Sequence, residues 1–497
     1  MTEEQSSYRQ IMKATSLFGG VQVFQIIIQV IRSKFIAVLL GPTGLGIMGL
    51  LTSTIELISR FTNFGLGTSA VKDIAAADST GNQTQIATTV TVIRRLVWIT
   101  GILGTLITLV LAPWLSQIAF GNHDYTIAFI WISITLLFAQ LSKGQLVLLQ
   151  GLRKLQYLAK ANLFGSILGL LTSVPLYYVW GIKGIVPGII VTAITTLLLS
   201  WYFSRKVKIE IVKVSNAQTK IEGKNILFMG FMISLSGLIS IGVAYLVRIF
   251  IRNSGGIEQV GLYNAGFVII NSYVGLIFNA MTTDYYPRLS AVAHNNMLCK
   301  DTINQQADIA ILILAPILIV FIVFINWVII LLYSTKFIAV NEMIIWAALG
   351  MFFKASSWSI SYILLAKGKG KIFFWNELIG NSYMLGLNIL GYHYMGLKGL
   401  GISFVVFYFL YLIQVFWVSK IKFEFSFNTS FVRIFSIQFL LALGSLIAVK
   451  LLSNPYPYFI GVILIAISTW YSFKELDKRL NLKSLLHSYF KNKSETL

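Results

Sequence analysis

Acidic residues are scarce in this chain: 18 Asp and Glu stand among 497 residues, and charged residues of both signs make up only 11%. An ordinary soluble domain carries roughly a quarter. A water-filled fold of this length would have to bury its 56% of hydrophobic residues with too few charges to cover the surface. The single cysteine, Cys299, excludes an intrachain disulfide. The four histidines (His123, His294, His393 and His487) lie in connections or near span ends without metal-ligand spacing, so no metal centre and no resident cofactor is expected. Lys367-Gly368-Lys369-Gly370-Lys371 lacks the spacing of a phosphate-binding loop. No catalytic constellation stands out, and the chain does not read as an enzyme.

What the chain has in abundance is apolar runs of helix length. They fall at residues 14–40, 45–70, 92–120, 125–149, 158–180 and 185–203. A second set lies at 225–251, 260–286, 307–333, 340–366, 372–394 and 399–419, with two more at 431–452 and 458–473. The expected fold is an all-α polytopic membrane protein of about fourteen transmembrane helices, here called spans 1 to 14. The first run is too long for a signal-peptide core and is read as retained span 1. The formal net charge of +21 lies in the connections, alternately. One set carries Arg94, Arg95, Arg153, Lys154, Arg205 and Lys206, and later Lys367, Lys369, Lys420 and Lys422; the other set is nearly bare. The positive-inside rule then makes the basic connections and both termini cytoplasmic. With no aromatic–basic platform beside these charges, nucleic acid is not an expected partner. Beyond 473, leucines alternate with Lys and Arg as in an amphipathic helix on an anionic lipid surface.

A constant offset of 215 residues relates Gly46 to Gly261, Gly165 to Gly380, Trp131 to Trp346, and Gly181-Ile182-Lys183-Gly184 to Gly396-Leu397-Lys398-Gly399. It predicts a six-span bundle at 1–204, a cytoplasmic basic linker at 205–224 and a second six-span bundle at 225–420. Two additional spans at 421–473 and a cytoplasmic amphipathic tail at 474–497 complete the chain. Six is even, so the halves enter the bilayer from the same side as parallel repeats.

Ionisable and amide groups at membrane depth are costly and therefore informative. Span 1 carries Gln22, Gln25, Gln29 and Arg32 on one face; span 2 carries Glu56, Arg60 and Asn63. Span 7 ends with Arg248 and Arg252, span 8 presents Asn264 and Asn271, and span 10 holds Lys354. Arg32, Arg60, Arg248 and Lys354, with Arg252, are the expected substrate-binding cations of a wet cavity lined by the amides. Only Glu56 and Glu377 could offset them, which leaves the cavity cationic and suited to an anion, Arg in particular to bidentate contact with a phosphate. The bland alternatives are interhelical glue for the amides and snorkelling for Arg252.

Lys34-Phe35-Ile36-Ala37-Val38-Leu39-Leu40-Gly41-Pro42-Thr43-Gly44-Leu45-Gly46, followed by Asn63-Phe64-Gly65-Leu66-Gly67-Thr68, resembles the polysaccharide flippases. These are the O-antigen and enterobacterial-common-antigen type translocases of the superfamily that also holds multidrug antiporters and the peptidoglycan-precursor flippase. The resemblance implies a V-shaped pair of bundles and alternating access, coupled to an H+ or Na+ gradient, with Glu56 the candidate for the ion step. It implies a substrate, an oligosaccharide on undecaprenyl diphosphate, moved from the cytoplasmic to the periplasmic leaflet of a bacterial inner membrane. Polysaccharide polymerase and chain-length proteins, besides membrane lipid, are the partners that would go with it. The competing readings are a multidrug or organic-cation antiporter, which would want an acidic cavity, and a membrane glycosyltransferase or polymerase, which would want large loops bearing carboxylates.

Overall fold

In lipid a backbone has no hydrogen-bond partner but itself, so runs of this hydropathy must become helix. The structure, a computed structural model, describes residues 3–210 and 212–480. Its thirteen α-helices are α1 (Glu3–Thr62), α2 (Leu66–Ser79), α3 (Gln83–Phe120), α4 (Thr126–Gly151), α5 (Leu155–Trp180), α6 (Ile185–Ser204) and α7 (Asn216–Val268). They continue with α8 (Leu276–Ala291), α9 (Asn296–Leu332), α10 (Asn341–Ala366), α11 (Gly370–Phe423), α12 (Thr429–Leu451) and α13 (Tyr456–Leu480). There is no strand among the described residues. Ten continuous segments are long and apolar enough to cross a membrane, and the protein is a multi-pass membrane protein.

Ten segments, where the sequence suggests about fourteen, reflects four places at which helix runs into helix through a glycine. Ile27–Thr62, Leu155–Ser204, Gly237–Ser272 and Gly370–Phe423 pass through Gly41, Gly181, Gly256 and Gly396. Gly41 has φ 66° and ψ −170°, and Gly256, 215 residues on, has φ 84° and ψ 177°. Gly181 (φ 54°, ψ −130°) and Gly396 (φ 57°, ψ −139°) match in the same way. Side chains disfavour this region of backbone space, so the repeat is preserved where only glycine suits. Just beyond the first pair, the helices touch backbone to backbone. A Cβ on Gly46 would lie 2.1 Å from the Ile257 carbonyl oxygen, and one on Gly261 would lie 1.8 Å from that of Pro42. These contacts are reciprocal under the 215-residue offset.

Other boundaries depart from expectation for local reasons. Span 2 breaks at residues 63–65, because Asn63 Oδ1 accepts the Gly65 N–H at 2.8 Å and Gly65 turns left-handed. Helix then resumes as α2. Asn82 caps α3 by accepting from Thr84 and Gln85, which starts that helix nine residues before the apolar run does. The second half of the expected basic linker is also helical, since α7 begins at Asn216. Around Asn271 the helix widens into a π turn, Ile269–Val274.

The chain forms two compact units, Met1–Leu262 with Leu332–Lys336, and Tyr263–Leu331 with Phe337–Leu497. The boundary therefore falls inside α7. The first unit packs Leu66, Ile74, Ile93, Leu96 and Leu148 into one core; the second packs Tyr285, Leu289, Ile303, Ile360 and Phe425 into another, with Cys299 fully buried among them. Large apolar side chains elsewhere face outward, among them Trp114, Trp131, Tyr178 and Trp327, as lipid-facing residues should. At the ends bearing the basic connections, Arg205 stacks on Trp201 and Lys420 and Lys474 lie over Trp417 and Trp470. Residues 474–480, expected in the amphipathic tail, are the last turns of α13. Arg479 ties them down, meeting Glu475 at 2.6 Å and Asp308 of α9 at 3.1 Å. The tail from 481 lies outside the described residues.

Candidate functional site

Span 1 contributes the first polar region. Gln25, Gln29 and Arg32 sit one turn apart and open into a cavity of about 370 Å³ in the first unit. The far wall comes from Asn162 and Ser166 of α5 and Thr192 and Thr196 of α6. The sequence reading passed over these four, yet each pair is spaced by four residues, the signal of a shared helix face. Gly165, one of the repeat glycines, leaves room between them. The side chain of Gln22 lies outside the described residues.

Glu56 and Arg60 form the second region. They stand 4.0 Å apart across one helical turn and both remain about half exposed, so the pairing leaves the guanidinium available to a ligand. Lys143 of α4 is within electrostatic range of both. Its side chain is exposed. Two cations thus share one carboxylate. Lys143 was missed by the sequence reading, although Gln140 and Lys143 make a polar pair at helical spacing in an apolar run.

The third region lies in the second unit. Lys354 Nζ donates to Asn271 Oδ1 at 2.8 Å, and the ring centroids of Tyr408, Phe278 and Phe404 lie 5.3, 5.8 and 5.8 Å away. Ring faces attract an ammonium without neutralising it. The π turn at Asn271 belongs to a class of helix defect often found at functional sites. Nearby on α11, Glu377 accepts from Tyr411, and Asn376 and Gln414 complete a chain of hydrogen bonds. The second and third regions share a plan. Asn271 lies 215 residues after Glu56, and Lys354 lies 211 after Lys143, one helical turn short of the offset.

Arg252, Asn63, Asn264 and Arg248 sit in other surroundings. Arg252 donates to the carbonyls of Ile118 at 2.6 Å and Ala119 at 3.1 Å, capping the C-terminal end of α3, where a cation is stabilised by the helix dipole. Neither the binding role expected of it nor simple snorkelling describes this. Asn63 builds the turn after α1 and is buried there. Asn264 is buried at the start of the second unit. Arg248 is half-buried and donates to the Ala244 carbonyl one turn back at 2.9 Å. Beside it, Tyr245 and Thr54 exchange a buried hydrogen bond of 3.1 Å.

This fold is that of the multi-span transporters of the MOP superfamily. An inward-facing multidrug resistance MATE family transporter superposes with a TM-score of 0.69 at 17% identity, covering 82% of this chain and 98% of the other. The lipid II flippase MurJ, in an inward closed conformation, gives 0.65 at 12% identity, covering 94% and 99%. Within that fold, the chain belongs to the family described as Polysaccharide biosynthesis protein, which it matches over residues 35–342. It is 21% identical over 354 residues to the lipid III flippase of Escherichia coli K12, spanning 69% of this chain and 82% of the relative. To the putative O-antigen transporter of Shigella flexneri it is 23% identical over 347 residues, spanning 68% and 80%.

Proposed function

We propose that this protein moves a lipid-linked oligosaccharide, carried on undecaprenyl diphosphate, from the cytoplasmic to the periplasmic leaflet of a bacterial inner membrane. The observation that carries the reading is the surplus of cation at membrane depth. Arg32 opens into an uncharged polar cavity, Arg60 and Lys143 face a single carboxylate, and Lys354 is held by an amide and aromatic rings. A diphosphate leaving water needs its hydration replaced, and guanidinium and ammonium groups supply donors and charge together. An organic cation would find the reverse of what it needs, which disfavours the antiporter reading. The names of the flippase and O-antigen transporter relatives support the same substrate class.

The basic connections belong, on this proposal, to the cytoplasmic side with both termini, and the two six-span repeats give alternate access to the cations. An H+ or Na+ gradient drives the cycle, with Glu56 taking the ion, since its charge already sets how strongly Arg60 and Lys143 are felt. The test is delivery of lipid-linked sugar to the periplasmic leaflet, normalised to folded protein. The triple Arg32→Gln, Arg60→Gln, Lys354→Gln variant should fold and lose delivery by on the order of 100-fold, given the 1.5–3 kcal/mol typical of a hydrogen bond to a charged group. Wild-type delivery by that variant would sink the proposal.

A further inference from the structure

A second cavity, unconnected with the cations above, lies in the first unit between α3 and the early turns of α7. It is a groove of about 1100 Å³, larger than most small-molecule pockets. Its α3 wall runs from Thr91 through Arg94 and Arg95 to Trp98 and Ile99. Its α7 wall runs from Thr219 through Lys220 and Lys224 to Leu227, Phe228 and Phe231. Both walls change character along the same direction, from basic at one end to apolar and aromatic at the other. The α7 residues recur at intervals of three and four, one helix face. Arg95 donates to Thr219 at 2.7 Å and joins the walls, and Gly223 packs against Leu96. No carboxylate lines the groove among the described residues, and Glu222, on another face of α7, is bonded to Gln218 at 2.9 Å.

We infer that this groove holds an anionic glycerophospholipid, its phosphate among Arg94, Lys220 and Lys224 and one acyl chain along Trp98, Ile99 and Phe228. The charge is complementary to a phosphate and the floor to a hydrocarbon chain. The groove opens sideways, for Trp98, Ile99 and Phe228 are all more than half or about half exposed. Of the neutral polar side chains at the basic end, Thr219 is taken by Arg95 and Thr91 by the Ala87 carbonyl, which leaves Asn216 beside the cations. The cations outnumber the neutral polar groups there, which favours recognition of a phosphate over an oligosaccharide. The inference stands independently of what the chain transports.

The full-length protein, in nanodiscs of equal parts phosphatidylglycerol and phosphatidylcholine, is fitted with a benzophenone side chain at Phe228 or, as a control on another lipid-facing surface, at Phe164. Photo-adducts are identified by mass spectrometry. Phosphatidylglycerol should exceed phosphatidylcholine by about tenfold at position 228 and show little preference at 164, in line with the attraction of clustered Lys and Arg for anionic lipid. In the Arg94→Gln, Lys220→Gln, Lys224→Gln variant the preference should collapse. Equal adducts at 228 in the wild-type protein overturn the inference without recourse to any variant. So does displacement of phosphatidylglycerol by a trace of undecaprenyl diphosphate, which makes the groove a carrier site. Competition by soluble glycerol phosphate as effective as that of the lipid would remove the role of the apolar floor and defeat it as well.

Discussion

The two repeats place a lysine against the same helical position and then treat it differently. In the first, Lys143 lies within electrostatic range of Glu56, which is already engaged by Arg60. In the second, Lys354 meets Asn271, a neutral amide, and three aromatic rings. An amide oxygen accepts from an ammonium without bringing a formal charge of its own, whereas a carboxylate brings one of opposite sign. One repeat therefore sets its lysine against a neutral amide and ring faces, while the other sets its cations about a carboxylate. On the function proposed above, the first kind of site would serve the anion and the second the ion step.

The most disruptive way to break this difference is Asn271→Glu, which gives the second repeat the chemistry of the first. Lys354 would then be neutralised in place, and delivery of lipid-linked sugar should fall by on the order of 10- to 100-fold at unchanged expression. Undiminished delivery would mean that Lys354 is structural. The reverse exchange, Glu56→Gln, should be milder in rate and different in kind. It removes the only carboxylate beside Arg60 and Lys143, so delivery should persist but lose its response to collapse of the proton and sodium gradients. Flux assays with and without ionophores read this directly, and an unaltered ionophore response would move the coupling step elsewhere. Arg252→Met should have the smallest effect. It strips the cap from α3 and should cost about 1 kcal/mol of stability, seen as a lower melting temperature, with delivery per folded molecule unchanged. A specific loss of delivery would return Arg252 to the binding site.

The membrane fold and the glycines of the repeat were legible in the sequence, because each is written in spacing: long apolar runs and glycines 215 apart. What was not legible depends on partners remote in sequence. Arg252 reaches carbonyls of α3 more than 130 residues away, and a backbone carbonyl leaves no mark on composition. Lys143 looked like one charge in an apolar run until α4 was set beside Glu56. Asn63 is an instructive case, for Asn-Phe-Gly is a turn signal in its own right and competes with the polar stripe it also fits. Cys299 carries a practical lesson: buried completely, it reports on neither side of a membrane, so labelling of topology should use exposed positions such as Asn122 and Asn253.

The reciprocal backbone contacts at Gly46 and Gly261 have an evolutionary reading as well as a steric one. A surface that touches its own copy, residue for residue, is the rule of an isologous two-fold interface. Borne by two identical polypeptides, such a contact is hostage to a single codon: one substitution for glycine would strike both sides together. Borne twice within one polypeptide, each side is inherited separately and can drift separately. The carbonyls facing the two glycines already differ in the residues that present them, Pro42 on one side and Ile257 on the other, while both glycines stay. Within this one chain the surroundings of the contact differ, while the two hydrogen-sized gaps at its centre are the same.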